Sequence, residues 1–227
     1  MTLSREISPH WWRLPSFWML LALAASIALY PFSDQARWLR QAAQIMDIAV
    51  VLMVVRLLRQ HAAIWHSGWV ISVPLILLQL AHLFSDSPSL ELAMLFAQVL
   101  FHLYAVIALL SYVLTDDVID LDEMLALAST YALLSLLWAS AYAIVVHFDA
   151  AAIFINPSNN AKNYVSFSDL VYFSLTTLTS TGYGEITPVS PAARALAMLQ
   201  QWFGVLFVAM LIARLTSLYK AQTKPCD

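Results

Sequence analysis

Residues 177–188, which read TLTSTGYGEITP, contain two of the four glycines in the 227-residue chain, Gly182 and Gly184. Glycine adopts positive φ angles without a steric penalty, so a backbone that alternates at these positions can direct successive carbonyl oxygens toward one axis. A stack of neutral carbonyl oxygens replaces the hydration shell of a monovalent cation, whereas carboxylates would hold it too tightly. Ser180 adds a hydroxyl oxygen at one end. The spacing predicts a site for a dehydrated monovalent cation.

An apolar stretch of 12 residues, 167–178, leads into this motif and is too short to cross a membrane. Ser166 or Ser168 is a suitable N-cap, and Asp169 lies in the first turn, where the helix dipole favours a carboxylate. We therefore predict a re-entrant helix that carries the motif at its carboxyl end. Irregular backbone at membrane depth is tolerated only inside protein or beside a water-filled path, so the flanking segments must enclose such a path.

The composition indicates that the rest of the chain is embedded in lipid. Hydrophobic residues make up 61% of the chain and charged residues 11%, and the mean hydropathy is +0.74. This charge content is far below that of a soluble domain. Six apolar segments have the length or nearly the length of membrane-spanning helices: residues 12–30, 38–58, 69–84, 90–114, 124–148 and 192–218. The sequence thus predicts an all-α membrane protein whose helices are surrounded mainly by lipid.

Charge and cysteine content exclude several other classes of protein. The formal net charge is −3, which gives no basis for binding nucleic acid. Cys226 is the only cysteine, so an intrachain disulfide and a zinc-type cysteine cluster are excluded. We expect no enzymatic activity and no organic cofactor. With the amino terminus inside, seven of the eleven Lys and Arg residues are cytoplasmic, which predicts that both termini lie on that side of the plasma or inner membrane.

The motif STGYGE, residues 180–185, resembles the selectivity-filter signature of potassium channels, usually Thr-Val-Gly-Tyr-Gly-Asp. The longer string FSDLVYFSLTTLTSTGYGEITP is similar to prokaryotic two-helix pore modules in particular. The resemblance covers residues 124 to about 218, as outer helix, pore helix, filter and inner helix. It implies that four identical chains surround one pore with fourfold symmetry. The residues it assigns to K⁺ coordination are Ser180, Thr181, Gly182 and Tyr183, with Gly184 completing the outer mouth.

Three residues depart from the usual signature. Ser180 replaces threonine, Thr181 replaces valine, and Glu185 replaces the aspartate that braces the outer filter in this family. Thr176 occupies a pore-helix position at which some relatives carry a glutamate that partners this acid. We expect Glu185, Thr176 and Asp169 to support the filter, and we expect these departures to affect how strictly it selects K⁺.

Gly204 lies where the family places the hinge of its inner helix. A small residue at this position is equally suited to close helix packing. The sequence leaves both roles open.

The four segments before the pore module predict a peripheral domain that resembles a voltage sensor but has no gating charges. The fourth segment contains no Lys or Arg, whereas steep voltage sensors use three or four such charges per subunit. We therefore expect a domain at residues 1–114, an acidic cytoplasmic linker at 115–123, a pore domain at 124–219 and a short cytoplasmic tail at 220–227. Strong voltage gating is not expected.

Two ionisable residues, Asp47 and His102, lie near the centres of the second and fourth segments. Unpaired charges are costly at this depth. We hypothesise that the two side chains approach each other, together with Gln79 or Gln98, as a buried polar cluster or as a proton sensor.

The linker also carries a cluster of acids with two possible roles. They are either solvated residues near a helix start, where the dipole accepts them, or modulatory groups that respond to protons or divalent cations. These acids are Asp116, Asp117, Asp120, Asp122 and Glu123.

The sequence therefore favours a passive K⁺-selective channel, with a weakly selective cation channel as the nearest alternative. A potassium transporter subunit is less favoured, because such proteins carry several pore repeats per chain. An intramembrane hydrolase that uses a serine with His82, His102 or His147 is disfavoured, because no Gly-x-Ser nucleophile turn is present.

Overall fold

The structure is a computed structural model that describes residues 12, 14–57, 62–85, 87–115, 121–158, 162 and 164–222. Some residues with predicted roles lie outside these ranges: Asp116, Asp117 and Asp120 of the acidic linker, and residues 223–227 of the predicted tail. The rest of the predicted elements can be compared with the structure directly.

Seven α-helices make up most of the described chain. They are α1 (Pro15–Leu29), α2 (Arg37–Leu57), α3 (Ala62–Phe84), α4 (Pro88–Thr115), α5 (Leu121–Phe148), α6 (Phe167–Leu178) and α7 (Pro191–Gln222). All except α6 are long and apolar enough to cross a membrane. The six predicted segments are therefore confirmed within a few residues, and the chain is a multi-pass membrane protein. The acidic linker is shorter than predicted, because α5 already begins at Leu121.

Proline sets the start of three of these helices. Pro15, Pro88 and Pro191 each occupy the first helical position. A proline is favourable there because its fixed φ suits the helix and the missing N–H would have no partner within the helix. At these three positions a proline, and not a charged residue, marks the start of an apolar helix.

Two of the first four helices pack against α5, the predicted outer helix of the pore module. Helix α5 contacts both α1 and α4, while α2 packs between α1 and α3. One continuous core of fully buried side chains crosses the predicted boundary at residue 114; it includes Leu23, Val54, Phe101 and Leu133. The peripheral helices and the pore helices are thus held together by side-chain packing.

Buried serines let the helices approach closely. Ser72 and Ser140 are fully buried, and their hydroxyls donate to the carbonyls of Gly68 (2.7 Å) and Leu136 (2.9 Å). Such bonds satisfy the hydroxyl within its own helix, so a small side chain can lie at a helix interface in an apolar medium.

A short two-stranded sheet joins the segment after α5 to the segment after the glycine motif. Strand β1 (Ile153–Ile155) pairs antiparallel with β2 (Ile186–Pro188). The pairing continues through a hydrogen bond from Asn156 N to Glu185 O at 2.8 Å. The sheet fixes the exit of the motif to the end of α5.

An ion pair connects the turn between α1 and α2 to the segment before α6. Lys162 Nζ binds the Asp34 carboxylate, which also accepts a hydrogen bond from Ser168 Oγ at 3.0 Å. Partial burial raises the pKa of Asp34, but the hydrogen bonds from Lys162, Ser166 and Ser168 outweigh it, so the pKa is lowered from 3.8. A carboxylate with a depressed pKa stabilises the fold above its unfolded-state pKa and loses that contribution as the pH falls through the folded value.

We predict that Asp34→Asn lowers the free energy of unfolding at pH 7 by about 2 kcal/mol, because Lys162 and Ser168 lose a charged acceptor. The difference from wild type should shrink as the pH falls below 3.8, where the wild-type carboxylate becomes protonated. Thermal unfolding in detergent measures both effects. The matched control is Asp149→Asn, since Asp149 is exposed and its amide can still accept from Ala151 N. Equal stability of Asp34→Asn and wild type at pH 7 would show that the ion pair contributes nothing.

Candidate ion-conduction site

The amino end of α6 is closed by a capping box. Ser166 Oγ accepts from Asp169 N at 3.4 Å, and the Asp169 carboxylate accepts from Ser166 N at 3.0 Å. The predicted cap at Ser166 is therefore confirmed. Asp169, which was expected to support the filter, acts in the structure on the start of the helix that leads to the filter.

The carboxyl end of α6 has all of its last four backbone carbonyls hydrogen-bonded. Thr179 N donates to Leu175 O (3.0 Å), and Ser180 N donates to Thr177 O (3.1 Å). Thr181 N (2.8 Å) and Gly182 N (3.1 Å) both donate to Thr176 O. The Tyr131 hydroxyl donates to Leu178 O (3.1 Å). A helix normally leaves these carbonyls without partners inside the helix. Here the motif supplies the donors for three of the four carbonyls, so it folds back onto the helix end.

Alternating left-handed residues follow this turn. Ser180, Gly182 and Gly184 have φ angles of 55°, 49° and 90°. A Cβ added at either glycine would meet nothing within 4 Å, so glycine is required by its conformation and not by space. Ser180 has the same left-handed conformation with a side chain, at a cost of about 1 kcal/mol. The alternation expected from the glycine spacing is present and extends one step further, to Ser180.

The outer end of the motif is braced by an aromatic residue that the sequence did not reveal. The Tyr172 hydroxyl donates to Glu185 Oε1, and the Tyr172 ring stacks on Tyr183 with the ring centres 6.4 Å apart and an interplanar angle of 6°. Thr176 does not partner Glu185, because its hydroxyl donates to Phe173 O at 3.0 Å. Tyr172 lies four residues before Thr176 and therefore on the same face of α6, which is the only sequence signal for its role.

Gly204 of α7 packs directly against the end of α6. A Cβ added at this glycine would lie 2.3 Å from the carbonyl oxygen of Leu178. The same carbonyl accepts the hydroxyl of Tyr131 from α5. Of the two roles that the sequence left open, close packing is the one for which the structure supplies contacts.

A buried network of hydrogen bonds joins α5, α6 and α7 one helical turn before Gly204. The side-chain amide of Gln200 donates to Ser174 O and Ser174 Oγ, both at 2.8 Å, and its Oε1 accepts from the Tyr142 hydroxyl at 2.7 Å. Ser174 Oγ in turn donates to Ser135 O at 2.7 Å. Gln200, Tyr142 and Ser174 are all fully buried. The sequence reasoning missed this network, because a single glutamine in an apolar helix does not identify its partners.

The hypothesis that Asp47 pairs with His102 is not supported. In the part of the chain that the structure describes, the Asp47 carboxylate accepts from Ser26 Oγ at 2.8 Å and from the Tyr30 hydroxyl, and not from His102. His102 is buried beside Phe101, and its Nδ1 has no hydrogen-bond partner. Both partners of Asp47 come from the end of α1, so proximity between consecutive helices determines the pairing.

Two of the linker acids lie in the first turn of α5. Asp122 accepts a hydrogen bond from Ser16 N at 3.2 Å, and Glu123 is buried. Asp122 thus ties the start of α1 to the start of α5. The modulatory role of these acids stays a prediction, since Asp116, Asp117 and Asp120 lie outside the described residues.

Residues 132–221 match a family model described as "Ion channel". The matched range extends from α5 into α7 and contains α6, the glycine motif, Gln200 and Gly204. This part of the chain is therefore similar to ion channel domains. No curated protein sequence matches the chain.

We predict that Gly204→Ala destabilises the pore, because the new methyl group would overlap a backbone carbonyl that is held by Tyr131. The free energy of unfolding should fall by about 2 kcal/mol, the usual cost of forcing an extra carbon into a packed site. Gly68→Ala is the matched control, since its Cβ would meet only a side-chain atom, the Tyr104 hydroxyl, at 3.0 Å. Equal thermal stability of the two variants would contradict the packing role.

We also predict that Gln200→Leu lowers the free energy of unfolding by about 3 kcal/mol, because it leaves the buried Tyr142 hydroxyl without a partner and removes both hydrogen bonds to Ser174. Adding Tyr142→Phe removes the unpaired hydroxyl. The double variant should therefore be no less stable than Gln200→Leu alone. A denaturation series on the two single variants and the double variant measures this coupling. If the decreases in the free energy of unfolding are additive, the two side chains are not coupled and the prediction is contradicted.

Proposed function

We propose that the protein is a homotetrameric K⁺-selective channel that conducts passively across the membrane. The observation that supports it most directly is the alternating backbone at Ser180, Gly182 and Gly184, anchored to the end of α6 through Thr176 O. In a tetramer, the carbonyls of four such strands would replace the water around a dehydrated K⁺. The ion would bind at Ser180, Thr181, Gly182 and Tyr183, with Gly184 at the outer mouth.

The exposure of the pore residues supports assembly. Tyr183 is 72% exposed and Trp202 of α7 is 60% exposed in the single chain. Further large apolar residues of α7 are also exposed, among them Met198, Val205 and Met210. One chain supplies one filter strand, and a closed ring needs several related by rotation. A fourfold assembly would cover these residues and close the ring.

The proposed channel is not strongly voltage-gated. Helix α4 contains no Lys or Arg between Pro88 and Thr115. Each elementary charge that crosses the membrane field contributes about 2.3 kcal/mol per 100 mV, and this helix has no Lys or Arg to supply that energy. We further propose that both termini are cytoplasmic in the plasma or inner membrane, so that the filter mouth faces outward.

A weakly selective cation channel is the second candidate, and the side chains at the inner end of the motif favour it. Thr181 places a hydroxyl where relatives have valine, and its Oγ1 lies 2.9 Å from Thr179 Oγ1. Both residues are exposed in the single chain. Extra hydroxyls offer oxygen ligands whose spacing is less restricted than that of the backbone carbonyls.

Reversal potentials separate the two candidates. We predict that purified protein in planar bilayers reverses close to the K⁺ equilibrium potential, which changes by about 59 mV per tenfold gradient of a monovalent ion. With K⁺ on one side and Na⁺ on the other, the reversal potential should lie far from zero. Gly182→Ala should abolish K⁺ current, because alanine does not readily adopt the positive φ at this position. A reversal potential near zero under K⁺ and Na⁺ would favour the weakly selective channel instead.

A further inference from the structure

The peripheral helices enclose a cavity of about 330 Å³ that none of the roles above uses. It lies where the ends of α1, α3 and α5 meet the starts of α2, α4 and α6. Because the glycine motif emerges between α6 and α7 at the same end of the bundle, the cavity is on the side of the filter mouth. Its volume is that of roughly ten water molecules, which suits a small organic ligand.

The floor of the cavity is rich in hydrogen-bond acceptors. Asp47 lies ten residues into α2, about 15 Å along the helix, and borders the cavity while Ser26 and Tyr30 hold its carboxylate. Gln79 is only 2% exposed, borders the same cavity, and its Oε1 has no hydrogen-bond partner. His82 also borders the cavity, and its Nδ1 has no hydrogen-bond partner. A buried acceptor without a partner is costly, and a donor that occupies the cavity would remove that cost.

The charges around the cavity favour a cation. The ionisable residues that line it are Asp34, Arg40, Asp47, His82, Glu91 and His147. These are three carboxylates against one guanidinium, with two histidines; Asp34 is paired with Lys162, so Asp47 and Glu91 supply the negative charge that faces Arg40. Among the described residues, no group of three or more His, Cys, Asp or Glu side chains is placed to hold a metal ion. Apolar side chains such as Met94, Leu95 and Val146 complete the walls and suit an alkyl chain.

We propose that this cavity binds a small soluble primary ammonium compound, whose ammonium group donates to Asp47 and Gln79 and whose alkyl part contacts the apolar walls. An ammonium group carries three donors and a charge, which matches a carboxylate and an unsatisfied amide oxygen that line the same cavity. The first turn of α6 forms part of the wall through Ser166, Phe167 and Leu170. The bound compound therefore touches the helix that holds the filter and alters the current.

The binding test uses the full chain in nanodiscs of phosphatidylcholine and phosphatidylglycerol, which contain no primary amine, and butylammonium as the probe. Titration calorimetry should show saturable binding, and the neutral isostere 1-butanol should bind at least about tenfold more weakly. Asp47→Asn and Gln79→Met should each weaken butylammonium binding at least about tenfold. Asp149→Asn removes an exposed charge outside the cavity and should bind like wild type. Nanodiscs with added phosphatidylethanolamine show whether a lipid headgroup competes for the same ammonium site.

No saturable binding, or unchanged binding in both Asp47→Asn and Gln79→Met, would overturn the site. Asparagine keeps an oxygen that accepts from Ser26 or Tyr30, and Gln79→Met carries the test if Asp47→Asn does not fold. The binding arm needs no conduction, so its result is independent of the proposed function. The regulatory effect rests on that function: butylammonium on the filter-mouth side should change wild-type current and leave Asp47→Asn current unchanged. An equal change in both would assign the effect to the pore instead.

Discussion

A helix that ends inside a membrane must find partners for its last carbonyls within the protein, and the pore region is organised around this requirement. Helix α6 ends at Leu178, and donors from the following turn and from Tyr131 occupy all four of its terminal carbonyls. The two amides that donate to Thr176 O belong to Thr181 and Gly182, so the hydrogen bonds at the helix end set the path of the glycine motif. The left-handed residues follow from this turn, because the chain must reverse and then extend away from the helix.

The backbone carbonyls at the end of α6 also determine which residues can pack against them. Leu178 O lies against the backbone of Gly204, so α7 can approach only where a side chain is absent. One turn earlier along α7, Gln200 replaces apolar packing with hydrogen bonds to Ser174 and Tyr142. Helix α7 is therefore fixed to α6 at two successive levels, by contact at one and by a polar network at the other. A buried polar network of this kind specifies one alignment of the helices, because any sliding would leave its members unpaired.

Local features of this structure could be predicted from the sequence, and long-range partners could not. The spans follow from apolar length, the α6 cap from Ser166 and Asp169, and the alternating backbone from the glycine spacing. Tyr172 was missed because its bond to Glu185 depends on how far the strand folds back after the helix. The hydrogen-bond partners of Asp47 were missed for a similar reason. Its burial was evident from the sequence, but several polar residues at the same depth were available, and only the packing of α1 against α2 selects Ser26 and Tyr30.

The peripheral helices contact the pore helices mainly by packing α4 and α1 against α5, and a second, smaller contact reaches α6. The end of α1 reaches the pore helix directly, since the rings of Tyr30 and Phe167 lie 5.3 Å apart and Asp34 accepts from Ser168. Tyr30 also donates to Asp47 on α2. A change at Asp47 therefore reaches the start of α6 through a single side chain, without passing through α4 or the acidic linker. Helix α6 runs without a break from its cap at Ser166 to the turn at Thr179, and the Thr176 carbonyl in its last turn accepts from Thr181 N and Gly182 N. The contacts of Tyr30 thus connect α2 to the helix that precedes the glycine motif, without involving α4.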